Sequence, residues 1–132
     1  MTYALDSNIV SHVLKRDAPV LANYRKAMDD AIDIVIPPIV CYEVLRGLLA
    51  RGMTKRLAEF DELRQSALQV EFDVMVWQKA AQIYASLFQH GRPIDEGDYL
   101  IAAYCIVNDF TLVTNNTRHF EHVDGLKTVN WK

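Results

Sequence analysis

The sequence predicts an α/β fold, a central and mostly parallel sheet flanked by helices, on three observations. Short β-branched runs alternate with longer stretches of helical periodicity, and the connections between them are brief. Some of the runs, such as Ala31–Ile36, are apolar enough to be covered on both faces, as strands of a parallel sheet are. Finally, 51% of the 132 residues are hydrophobic, which supplies a core without disulfides or a structural metal, so residues 1–132 are read as one domain.

Thr2–Leu5 is the first expected strand, and it stops on Asp6, a carboxylate followed by two polar turn-formers. A helix follows from Ser7 with Ile9, Val10, Val13 and Leu14 on one face, and a second starts near Pro19 with Val20, Leu21, Tyr24, Ala27 and Met28 inward. Ala31–Ile36 is the second strand. Pro37-Pro38 ends it and opens a helix over Ile39–Ala50, in which Gly47 suggests close approach by another backbone. Thr54–Ser66 reads as a charged helical arm with Leu57, Phe60, Leu63 and Ala67 inward, and Leu68–Phe72 as a further strand. Val74–Phe88 carries an apolar and aromatic stripe (Val76, Trp77, Ala80, Ile83, Tyr84, Leu87, Phe88) suited to a core or a dimer interface, and it ends at His90-Gly91. From Leu100 the next helix is apolar all round, hence buried. Thr111–Thr114 and Leu126–Trp131 complete the sheet, the latter as an edge.

Composition excludes several classes. The apolar run Ile34–Tyr42 is too short to cross a bilayer and is broken by prolines, and Met1 runs into Asp6 too soon for a leader peptide, so a soluble, cytoplasmic protein is expected. Cys41 and Cys105 lack metal or redox spacing and are expected to be buried free thiols. His119 and His122 have no cysteine or third histidine nearby, which argues against zinc. A net charge of −3 argues against gripping nucleic acid by bulk electrostatics. Setting Asp6, Glu43, Asp95 and Asp98 aside as one site leaves the other acids balanced against 14 bases, so a local acidic centre accounts for the excess.

Those carboxylates are the candidates for chemistry. Asp6 stands at a strand's C-terminal end, where open α/β sheets bind ligands, although it also suits a helix cap. Glu43 is a lone acid with apolar neighbours, and its bland explanation is an intrahelical pair with Arg46. Asp95 and Asp98 share one face of a helix start, where Asp95 is expected as N-cap in a capping box with Asp98, with Ile94 packed on Tyr99. Asn116 follows another strand. Acids brought that close need a cation, and an all-oxygen set selects Mg²⁺ or Mn²⁺ over zinc. Such a site suits phosphodiester hydrolysis with no nucleophilic side chain.

Four blocks carry a resemblance: Leu5-Asp6-Ser7-Asn8, Glu43-Val44-Leu45-Arg46-Gly47, Asp98-Tyr99-Leu100-Ile101-Ala102-Ala103, and Leu112-Val113-Thr114-Asn115-Asn116 with Phe120. In order and spacing the chain resembles PIN-domain ribonucleases, and in compactness the VapC toxins of toxin–antitoxin modules. The resemblance implies a PIN-like three-layer fold and metal-dependent endonucleolytic cleavage of RNA, tRNA or another structured RNA, that inhibits translation. It also implies a homodimer neutralised by a VapB-like antitoxin in a higher assembly. It assigns Asp6, Glu43 and Asp98 as ligands of Mg²⁺, with Mn²⁺ able to substitute, and Asn116 as a fourth catalytic position that is often acidic, so one metal is favoured over two. Asp95, Ser7, Asn8 and Thr114 match accessory positions, and Arg46 and Arg92 are candidate RNA contacts. Two other readings stand against it. One is a catalytically silent PIN-like module that binds RNA or protein. The other is a phosphotransfer domain, for which Asn8 replaces the second Asp of a dehalogenase-like phosphatase and the lysine of a receiver is missing.

Overall fold

The computed structural model describes residues 1–132. Four short strands, β1 (Thr2–Leu5), β2 (Asp33–Val35), β3 (Thr111–Val113) and β4 (Lys127–Val129), form one sheet in the order β2-β1-β3-β4. Every pairing is parallel, with Ala4 opposite both Val35 and Leu112. Six helices connect them: α1 (Ser7–Leu14), α2 (Ala18–Asp29), α3 (Pro38–Ala50), α4 (Thr54–Ser66), α5 (Val74–Gln89) and α6 (Glu96–Asn108). A 3₁₀ turn, Thr117–Phe120, follows β3. The chain leaves β1 for β2 on one side and later returns to β3 on the other. The carboxyl ends of β1 and β3 therefore flank a topological switch point, the place where such sheets leave a crevice.

Local chemistry explains why the helices begin where they do. Asp6 caps α1 by accepting from the Ser7 N–H at 2.8 Å, and Asp73 caps α5 by accepting from the Met75 and Val76 N–H groups. Asp17 caps α2, which has Pro19 in its first turn, and α3 opens on Pro38 with no side-chain cap, the position at which proline sacrifices no helical hydrogen bond. The core is formed by Ala4, Leu5, Val35, Leu112 and Val113 of the sheet together with the inner faces of the helices. Within it α6 is the buried helix, with Ile101–Cys105 all at or near zero exposure, as its uniform apolarity requires.

Several expectations differ from the structure, each for a local reason. Leu68–Phe72 is not a strand: only Leu68 pairs, through its N–H to the Ile34 carbonyl, and the Val70 carbonyl is taken by the Tyr104 hydroxyl at 2.7 Å instead of a neighbouring strand. The second strand starts at Asp33 because Ala31, at φ +54°, is still closing the turn after α2. Met28 lies on the exposed side of α2. The segment Thr54–Ser66 is no free arm, since Phe60 is fully buried and α4 packs on α3 and α1. On α5 the aliphatic half of the stripe is core, whereas Trp77, Tyr84 and Phe88 are exposed. Gly47 meets no foreign backbone; a methyl there would touch only the Arg51 guanidinium of its own helix. Cys105 is buried, but Cys41 is only partly so. No helix is long and apolar enough to cross a membrane.

Candidate functional site

Asp6 and Thr114 follow adjacent parallel strands, and β-sheet geometry holds them together: the Asp6 N–H donates to the Val113 carbonyl at 2.9 Å and the Thr114 N–H to Val129 at 3.0 Å. They are the only two polar residues in the buried set. The Thr114 hydroxyl donates to Asp6 Oδ2 at 2.9 Å while Oδ1 accepts from the Ser7 N–H. The cap and the site are thus the same carboxylate, and both of its oxygens are fixed. The Thr114 hydroxyl also accepts from the Asn116 N–H at 3.1 Å, which shapes the turn after β3.

Opposite this pair, α3 presents Glu43 and α6 presents Asp95 and Asp98 from its first turn. Asp95 occupies the N-cap position but makes no side-chain cap bond, so the expected capping box is not formed. The polar partner of that corner is Tyr99, whose hydroxyl accepts from the Ile94 N–H at 3.1 Å. Both carboxylates are left free of a capping role, the exposed Asp95 beside the half-buried Asp98. Likewise the intrahelical pair with Arg46 that would explain Glu43 without a function is not made: the Arg46 guanidinium sits over the Tyr42 ring, 5.1 Å from its centroid.

The acids feel one another. Burial pushes the Asp6 carboxyl up, against the hydrogen bonds from Thr114 and Ser7. Glu43 is raised by burial and then by the charge of Asp6, against the more distant Arg46, with Asp98 adding to the rise. Asp98 is raised by burial and by the charges of Asp6 and Asp95, against His119. No lysine or arginine lies within ion-pair distance of any of the four acids.

His119 is the residue that sequence reasoning missed. The 3₁₀ turn after β3 swings it over α6, where Nε2 lies 2.8 Å from Asp98 Oδ2 at an angle unsuited to a hydrogen bond. Ligand atoms of Asp95, Asp98 and His119 lie within 4.8 Å of one another, and Asp6 and Glu43 stand outside that tight group. The expectation dismissed His119 together with His122 as a zinc pair; in the fold the two part, His122 turning to Arg92 and Glu121. Only its place three residues beyond Asn116 hinted at His119. Gly97 was also missed. A methyl at Gly97 would stand 3.1 Å from Glu43 Oε2, so glycine in the first turn of α6 lets α3 and its carboxylate approach. The signal was a helix-weakening residue between two candidate acids.

Of the other expected residues, Ser7 and Asn8 lie at the start of α1 beside Asp6, and the Ser7 hydroxyl favours the ionised forms of Asp6 and Glu43. Asn116 is exposed, and its bonds in the fold are made by its backbone. Arg92 is not brought to the acids: it contacts His122 and lines a separate cavity with His90 and Asp124.

Three buried side-chain polar atoms lack a hydrogen-bond partner, and all three are here: Asn8 Oδ1, Glu43 Oε1 and His119 Nε2. Such atoms are costly unless something unseen completes them. Carboxylates with no lysine or arginine in ion-pair distance, one of them with an orphaned oxygen beside an orphaned amide oxygen, fit a hard divalent cation that keeps part of its water shell, and the single imidazole is compatible with it.

Comparison with known proteins is consistent with this geometry. The PIN domain family model matches residues 3–126. The chain is 30% identical, over 99% of its own length and 98% of the relative's, to the tRNA(fMet)-specific endonuclease VapC of Shigella flexneri. It is 29% identical over the same shares to ribonuclease VapC2 of Haemophilus influenzae. Among solved structures, it covers the whole of a chain in the VapBC2 complex of Rickettsia felis bound to a promoter DNA fragment, with a TM-score of 0.92 and 25% identity.

Proposed function

The chain belongs to the PIN-domain family, among its VapC ribonucleases, and from that premise we propose that it is the metal-dependent endoribonuclease toxin of a VapBC-type module. The observation that carries the chemistry is the meeting of Asp6, Glu43, Asp95 and Asp98, from distant parts of the chain, with no lysine or arginine paired to any of them. Asp6, Glu43 and Asp98 are proposed as the ligands of Mg²⁺, with Mn²⁺ able to substitute and with Asp95 and His119 at its outer edge. When bound, the ion supplies Lewis-acid stabilisation of the charge that develops on the scissile phosphate and lowers the pKa of a water.

The residues do the rest. Thr114 and the Ser7 N–H hold Asp6 in a single orientation, so its oxygens need no rearrangement as the reaction proceeds. Glu43 Oε1, buried and without a partner, offers a lone pair to the proton of an attacking water. Asn8 Oδ1, in the first turn of α1 two residues after Asp6, is a second buried acceptor without a partner. Asn116 contributes the backbone turn that delivers His119, and its amide supplies no charge for a second ion.

Structured RNA, tRNA among the candidates, is the proposed substrate, because the Shigella flexneri relative is a tRNA(fMet)-specific endonuclease. The proposed setting is the cytoplasm, as one domain over residues 1–132 that forms a homodimer and is neutralised by a VapB-like antitoxin in a larger assembly. The antitoxin proposal rests on the Rickettsia felis neighbour, a chain of a VapBC complex. The test is to incubate the purified, antitoxin-free protein with total bacterial RNA and Mg²⁺ or Mn²⁺, beside an EDTA control and Asp98→Asn. Discrete fragments only with metal and the native sequence are expected. Intact RNA throughout, with a folded protein that binds a partner, makes the catalytically silent module the correct reading.

A further inference from the structure

Beside the acidic crevice lies its electrostatic opposite. A cavity of about 590 Å³ opens between α1, the C-terminal half of α3 and the start of α4, and Lys15, Arg46, Arg51 and Arg56 line it. Ser7 and Glu43 line it too, so the cavity runs directly into the proposed catalytic centre. Glu43 is its single acid. None of the four cations is in an ion pair; Arg51 donates only to the Gly47 carbonyl of its own helix, and Arg46 rests on the exposed Tyr42 ring.

A solvated helix face is the ordinary explanation for exposed arginines, and here it fails on two counts. The four come from three elements and converge on a concavity, where like charges repel instead of spreading into solvent. They also do so in a chain whose net charge is −3 and which has acids to spare for pairing. Four unpaired cations around one cavity call for an anion of repeating charge.

We propose that this cavity is the track for an RNA strand on one side of the scissile bond, its backbone phosphates seated on Lys15, Arg51 and Arg56; the inference rests on the nuclease reading above. Guanidinium groups match phosphate oxygens in a two-pronged geometry, and Tyr42 with Arg46 over it forms a platform on which an unpaired base stacks. The continuity with Glu43 selects RNA over an acidic peptide. A polynucleotide places its next phosphate at the crevice, beside the acids that would hold a cation, whereas a peptide carboxylate threaded the same way offers no bond to be cut.

The test uses the full-length protein carrying Asp98→Asn to prevent cleavage, and a fluorescein-labelled, mixed-sequence RNA oligonucleotide titrated at several salt concentrations. Adding Lys15→Gln, Arg51→Gln and Arg56→Gln together should reduce the slope of log Kd against log salt by about 2, at about 0.7 per lost single-strand phosphate contact, and weaken binding about tenfold or more. Lys15→Gln alone should remove about a third of the slope change, and Lys26→Gln, a distant charge paired with Asp30, none. On the otherwise native sequence the triple change should raise KM and spare kcat. If the parent binds and cleaves RNA while the triple variant matches it in slope and KM, the track is wrong and the nuclease stands. The same holds if the variant loses only its hold on an acidic antitoxin segment. If the parent neither binds nor cleaves RNA, the nuclease reading falls and the track with it.

Discussion

The two ends of α6 follow opposite rules. In its body no buried side-chain nitrogen or oxygen lacks a partner: the Tyr104 hydroxyl donates to the Val70 carbonyl, and the Asn108 amide returns to the Tyr104 carbonyl at 2.9 Å. In its first turn Asp95 caps nothing, Asp98 faces an imidazole that is not aligned to it, and glycine replaces a side chain so that another carboxylate fits. One helix thus carries a stretch optimised for stability and a stretch that gives stability up. The difference locates the function, because native folds rarely leave buried polar atoms unpaired and here all three that are lie in one crevice.

The comparison can be broken most forcefully at Asp98. Asp98→Asn should lower RNA cleavage by about a thousandfold or more, the scale of losing a principal charge-stabilising group. The same change should leave the metal-free protein as stable as the native sequence, or more so, since a desolvated charge repelled by Asp6 and Asp95 is removed. Cleavage assays and thermal melts in EDTA measure the two halves. The core should behave in the reverse way. Phe60→Ala, which empties a fully buried site between α4 and its neighbours, should cost about 3–5 kcal/mol in denaturant unfolding, with the specific activity of the folded fraction retained.

Thr114→Val lies on the border between the two regimes and sharpens it. It should cost about 1.5–3 kcal/mol, the value of a hydrogen bond to a charged group, and also reduce cleavage by freeing the Asp6 carboxylate to rotate. Stability and rate should fall together here and nowhere else among these changes. Gly97→Ala should have the smallest effect and the most diagnostic sign. Helix propensity favours alanine by up to about 1 kcal/mol, while the added methyl presses on Glu43 Oε2, so stability should hold or rise as activity drops by roughly tenfold.

The sequence disclosed what local physics determines. Pro38 at the start of α3, the all-round apolarity of α6 and the polar residues ending β1 and β3 each specify their element without reference to the rest of the chain. It misled where a partner distant in sequence decides. Leu68–Phe72 has strand composition, but the Tyr104 hydroxyl claims the Val70 carbonyl that a neighbouring strand needs. Asp95 and Asp98 have capping-box spacing, yet Asp95 makes no cap bond, and burial and the charge of Asp6, from the other end of the chain, set the environment of Asp98. His119 reads as a surface histidine until the turn at Asn116 lays it over α6. The basic cavity was invisible for the same reason, since Lys15, Arg51 and Arg56 are scattered over three elements that only packing brings together.

The central claim is that the crevice gives up stability in order to hold a cation, and a thermal melt without any RNA tests it most directly. Melting of the native sequence and of Asp98→Asn should be followed against Mg²⁺ from none to saturation. The account predicts that the native protein gains about 2.7 kcal/mol once the ion reaches about a hundred times its Kd. Asp98→Asn should start at or above the metal-free native protein and stay flat. A native melt indifferent to Mg²⁺ and Mn²⁺, or an Asp98→Asn protein less stable than the native one in EDTA, would contradict it, because the acids would then be structural.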